Sequence, residues 1–172
     1  MDTETFLKEQ PGILLPEYGK ELEVPGTSPL ISLRGNCYWH GTDTHTWIVN
    51  TVETLRALGY TGTIYVPRHQ GELIPDEDRN IELSGKNDRR AFGASVINIF
   101  YQPEDLEVDL DIFVPFLLEA ERQARSGKKV YVIGADSPGE LGLMDDSHFK
   151  VHGTVAEVCQ VAYEKYLHPL KS

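Results

Sequence analysis

Four short runs of β-branched and aliphatic residues, set apart by longer helix-periodic or polar stretches, constrain this chain most. They are Leu30-Ile31-Ser32-Leu33-Arg34-Gly35, Thr63-Ile64-Tyr65-Val66, Ser95-Val96-Ile97-Asn98-Ile99-Phe100-Tyr101 and Lys129-Val130-Tyr131-Val132-Ile133-Gly134. Each is nearly continuous in apolar residues, as strands covered on both faces are. Phe149-Lys150-Val151-His152 adds a short fifth. Strands that alternate with helices pack as a mostly parallel sheet with helices on its faces. The expected fold is therefore α/β, a three-layer sandwich around a mostly parallel five-stranded sheet.

The intervening stretches supply the helices. Over residues 43–58, Trp47, Ile48, Val52, Leu55 and Leu58 recur at three and four, and Gly59 stands where a left-handed C′ residue belongs. With its flanking strands this makes one βαβ unit, whose connection should be right-handed. A second helix is expected over residues 112–126, with Pro115 in its first turn and Gly127 just past its end. The last helix opens with a capping box, Thr154-x-x-Glu157, and buries Val155, Val158, Cys159, Ala162 and Tyr166. Residues 68–87 are polar and rich in turn formers, which predicts a long connection of the kind that often carries function.

Residues 1–28 hold Pro11, Pro16 and Pro25 without a clear period. They read as an irregular arm draped on the domain or on a neighbour, anchored only by Ile13-Leu14-Leu15. Residues 29–172 read as one domain of ordinary size. Against 16 Lys and Arg stand 27 Asp and Glu, for a net charge of −11. That argues against a nucleic-acid polymer as partner, which needs a basic face, and against anionic lipid. The longest uncharged apolar run, residues 112–118, is too short to span a bilayer, so no membrane partner is expected. The first residues lack a signal peptide's basic and apolar regions, so the expected compartment is cytoplasmic. Cys37 and Cys159 lie too far apart in sequence for a metal-binding pair and read as idle thiols. His40 and His45 lie five apart, and His148 and His152, though four apart, fall on the expected fifth strand rather than on a helix, so no metal is expected.

In parallel α/β sheets ligands sit at the carboxyl ends of the strands. That selects residues 35–42, 67–88, 102–111 and 134–147. In the first loop Gly35 lets a ligand approach the backbone, Asn36 is polar, and Tyr38 and Trp39 can stack on a planar ring or simply cover the sheet edge. The loop matches neither the dinucleotide nor the P-loop pattern. Glu119 follows the third loop, and its apolar neighbours Val114, Phe116, Leu117 and Leu118 favour its protonated form. Such a carboxyl can act as nucleophile or base at a sugar carbon, or be a solvated glutamate paired with Arg122. Asp109 and Asp111, in an acidic loop, can bind sugar hydroxyls or only carry charge at a helix start. Arg34, Arg68, Arg89 and Arg90 can hold a phosphate or form surface pairs.

Four segments together give the chain a family likeness: Ile31-Ser32-Leu33-Arg34-Gly35; residues 47–67, ending Leu-Gly-Tyr-Thr-Gly-Thr-Ile-Tyr-Val-Pro; Asn87-Asp88 followed by residues 95–101; and Glu119-Ala-Glu-Arg-Gln-Ala-Arg-Ser-Gly-Lys-Lys-Val. Over roughly residues 30–165 the chain resembles the nucleoside 2-deoxyribosyltransferases and their N-glycoside-hydrolysing relatives. The resemblance implies a flavodoxin-like fold, a homo-oligomer and no cofactor. It also implies a transferase or hydrolase acting on (deoxy)nucleosides or their 5′-monophosphates through a covalent glycosyl–glutamate. The eight-residue step from Glu119 to Gly127 resembles that family's nucleophile motif, so Glu119 inherits that role and Asp88 helps hold or protonate the substrate. Gly35, Asn36, Tyr38, Trp39, Asn87, Asp109, Asp111 and Arg90 are the expected substrate-binding residues. The alternatives are a non-catalytic nucleotide-sensing module on the same scaffold and a regulatory subunit that docks through its arm.

Overall fold

The computed structural model describes residues 2–17, 19–26, 29–34, 46–67, 81–101, 129–133, 149–152 and 155–164. In chain order the elements are α1 (Thr3–Glu9), β1 (Ile13–Leu14), β2 (Leu30–Arg34), α2 (Thr46–Leu58) and β3 (Thr63–Tyr65). There follow α3 (Ile81–Ala94), β4 (Ile97–Tyr101), β5 (Lys129–Ile133), β6 (Phe149–His152) and α4 (Val155–Ala162).

All strand pairs are parallel, and the sheet order is β1-β3-β2-β4-β5-β6. The α/β class and the parallel sheet are thus as the sequence predicts. The strand count is not: the described sheet has six strands, because β1 joins the five expected ones at the edge beside β3. The chain steps from β2 to β3 in one direction, then crosses back over β2 to β4 and continues outward. Crossovers of constant hand that reverse direction must place their helices on opposite faces. The packing agrees. Ile31, Leu33, Ile64, Ile97 and Ile99 pack with Trp47, Ile48, Val52 and Leu55 of α2, Val158, Cys159 and Ala162 of α4, and Leu7 of α1. The alternate strand positions Leu30 and Tyr65 pack instead with Ala91 and Phe92 of α3 and with Leu22. Side chains of a strand alternate between faces, so one strand feeds both clusters.

The predicted end of α2 is correct in detail. Gly59 has φ +107°, its N–H reaches the Arg56 carbonyl at 3.1 Å, and the Tyr60 N–H reaches the Leu55 carbonyl at 3.0 Å. This is the paired bonding of a Schellman cap. In α4, Val158, Cys159 and Ala162 are buried as expected; Thr154, Tyr166 and the helix expected over residues 112–126 lie outside the described residues.

Two expectations need correction. The stretch 68–87 is not loop throughout, since α3 begins at Ile81. Gly85 and Gly93 interrupt α3, and its described buried face is narrow, formed by Asn87, Ala91 and Phe92. A helix with so narrow an apolar stripe shows little periodicity and stands by packing rather than propensity. The arm is not irregular throughout. α1 is capped by Asp2, whose carboxylate accepts from the Thr5 N–H at 2.8 Å, and β1 pairs with β3. Leu7 and Leu22 are 1% and 6% exposed, so Ile13-Leu14-Leu15 is not the arm's sole anchor. Arg56 ties it further, donating to the carbonyls of Tyr60 and Gly62 at 2.8 Å and of Pro11 at 3.0 Å.

Candidate functional site

The order reverses between β2 and β4, and doubly wound sheets bind their ligands at such a switch point, outside the carboxyl ends of the strands. Arg34 ends β2 and Tyr101 ends β4. The loop residues Gly35, Asn36, Tyr38 and Trp39, the acidic pair Asp109 and Asp111, and Glu119 all lie outside the described residues, as does Arg68. Asn87, Asp88 and Arg90 are described, and all three stand on the middle of α3.

Asp88 is half-buried against the end of β3. The Tyr65 hydroxyl donates to its Oδ1 at 2.5 Å, within the range of an O–H bond to a carboxylate. Tyr65 is the last residue of β3 and is fully buried on the α3 face. Its ring meets that of Phe92 edge to face, with centroids 6.0 Å apart and planes at 74°. Asp88 and Phe92 are one helical turn apart, so a single turn of α3 receives both the ring and the hydroxyl of Tyr65.

Asn87 and Arg90 face the arm. The Asn87 Oδ1 accepts from the Leu22 N–H at 2.9 Å, and its Nδ2 donates to the Lys20 carbonyl at 2.9 Å. Arg90 donates through Nη1 to the Leu22 carbonyl at 2.7 Å and through Nη2 to the Glu21 carboxylate at 2.5 Å. That hydrogen bond and charge hold the Glu21 carboxyl below its ordinary pKa. Two side chains at i and i+3 on one helix therefore bind both backbone groups of Leu22, where a sheet ladder would otherwise do so. These expected substrate-binding residues have their described bonds to the arm, and Leu22 so held packs in the cluster of Tyr65, Ala91 and Phe92.

Beneath the other end of α3 lies a buried polar row. The hydroxyls of Ser32 and Ser95 share a hydrogen bond, and Ser95 also bonds the Ala91 carbonyl at 2.7 Å. Asn98, paired with Ser32 across the sheet, is fully buried, and neither atom of its carboxamide has a partner. Among the described residues no three His, Cys, Asp or Glu side chains lie close enough to hold a metal ion. No described helix is long and apolar enough to cross a membrane.

Sequence reasoning did not single out Tyr65. Its signal was available: a tyrosine closing a buried strand, at the end where ligands gather, needs a polar partner for its hydroxyl. No protein-family model, no curated protein and no solved structure matches the chain.

Proposed function

We propose that the chain is an enzyme that transfers or hydrolyses the N-glycosidic bond of (deoxy)nucleosides or their 5′-monophosphates through a glycosyl–glutamate on Glu119. The observation that carries the reading is the glutamate motif, Glu119 eight residues before Gly127-Lys128 and set just ahead of β5. Two features support it. The strand order, leaving β1 aside, is that of doubly wound flavodoxin-like sheets. Asp88, the other expected site carboxylate, is held by a tyrosine at the carboxyl end of a strand.

The chemistry balances without a cofactor. The Glu119 carboxylate attacks the anomeric carbon as the bond to the base nitrogen breaks. That electron pair leaves with the base, which takes a proton from an acid such as Asp88, Asp109 or Asp111. A second base, or water, then attacks the same carbon, gives up its proton and frees the glutamate. Tyr38 and Trp39 stack on the base in this reading, and Gly35 and Asn36 let it approach, whereas Asn87 and Arg90 serve the arm. By the same resemblance the protein is a homo-oligomer.

One observation favours a second reading, a nucleotide-sensing module that binds without turnover. The family that the chain resembles carries an aspartate six residues before the glutamate and a glycine two after it, whereas here residues 112–118 read Ile-Phe-Val-Pro-Phe-Leu-Leu and Glu121 follows Glu119 by two. A panel of deoxyribonucleosides and 5′-monophosphates, with and without a different free base, separates the two. New nucleoside that vanishes in Glu119→Ala establishes a transferase, and free base alone a hydrolase. Binding with no product establishes the sensor.

A further inference from the structure

Within α3, Asp88 is held from the sheet, and its neighbours along the helix hold the arm. From the sheet, the buried Tyr65 donates its hydroxyl to Oδ1 at 2.5 Å while its ring lies against Phe92. From outside, the arm is clasped by Asn87 and Arg90, the residues one before and two after Asp88. The clasp seats Leu22 in the cluster that holds Tyr65. Phenylalanine would fill the same volume at position 65, so the hydroxyl adds its polar bond and not its packing. We propose that Tyr65 is a positioning residue for Asp88, and that the arm, by closing over Tyr65 at Leu22, belongs to the same unit. The inference deepens the glycosyl-transfer reading, because it rests on Asp88 holding the substrate. It makes the stretch of the arm from Lys20 to Leu22 part of the site's machinery.

The test uses the full chain, isotope-labelled, with the Asp88 carboxyl resonance assigned by its loss in Asp88→Asn. Tyr65→Phe is expected to move that resonance, and Leu22→Ala to move it the same way by less. Leu7→Ala, which loosens the arm on the opposite face, leaves it in place. With a deoxyribonucleoside as substrate, Tyr65→Phe lowers kcat/KM about tenfold, mainly through KM, and adds nothing in the Asp88→Asn background. An unmoved resonance in folded Tyr65→Phe overturns the proposal. So does a tenfold loss that persists without Asp88. Should Tyr65→Phe not fold, Leu22→Ala decides: a resonance that stays in place there overturns the arm's role. A wild-type chain that turns over no nucleoside counts against the proposed function alone, since the resonance is read without substrate.

Discussion

At the scale of single residues, the sharpest consequences attach to buried polar groups. The Asn87 side chain satisfies the Leu22 N–H and the Lys20 carbonyl, and it is nearly inaccessible to water. Asn87→Ala strands a donor and is expected to cost about 1–3 kcal/mol in urea unfolding. Asn98 is the opposite case. Its carboxamide is buried without a partner, so removing it forfeits no bond. Asn98→Leu, of similar shape, is expected to be neutral or to stabilise by about 1–2 kcal/mol in the same measurement. A loss above that range would mean that the carboxamide is bonded in solution. Gly62 is fixed by space. A Cβ there would stand 2.5 Å from the Tyr60 hydroxyl and 2.7 Å from the Pro29 carbonyl, an atom the Tyr60 hydroxyl also bonds at 2.6 Å.

At the scale of elements, the arm and α3 are where sequence patterning and structure part. α1 has seven residues, fewer than isolated helices need, and its one fully buried leucine carries no period. What holds it is the Asp2 cap and the insertion of Leu7 among α2 and sheet residues. Leu7→Ala is therefore expected to cost about 2–4 kcal/mol, as core truncations do, with the loss read by chemical denaturation. An arm merely draped on the domain would lose almost nothing. In α3, polar residues share the fixing of the helix with Ala91 and Phe92: Asn87 and Arg90 bind the arm and Asp88 binds Tyr65. Hydrophobic periodicity has no means of registering such contacts, because their partners lie 23 to 68 residues away in the chain.

At the scale of the whole molecule, two buried weak acids among the described residues lower stability at alkaline pH. Cys159 is pushed up to about 12 by burial, and the Tyr60 hydroxyl is raised by the same cause. Both folded values lie above the unfolded ones, so their stabilisation is complete below the unfolded pKa values. It is lost as pH rises toward the folded ones. Stability is expected to fall progressively from about pH 9 upward. Urea midpoints taken across that range measure it, and Cys159→Ala should give a shallower decline than the parent. The same burial keeps the thiol inert at neutral pH, so in a Cys37→Ser background a thiol reagent should label Cys159 only on unfolding.

Five of the six described strands were legible because a buried parallel strand announces itself by composition, whereas the two-residue β1 does not. The five expected runs contain β2 to β6, with the β3 and β5 ends within a residue of expectation. The C-cap of α2 was legible because a left-handed turn favours glycine, whatever lies around it. The α/β class followed from the alternation of such runs with helical segments. Tertiary structure decided what depends on distant partners. It placed β1 at the sheet edge, turned Asn87 and Arg90 toward the arm, and set the Tyr65 hydroxyl on Asp88. Local propensity acts through a residue's own backbone and near neighbours, so the sequence carries it openly. A hydrogen bond between α3 and the arm exists only once the sheet has brought the two together.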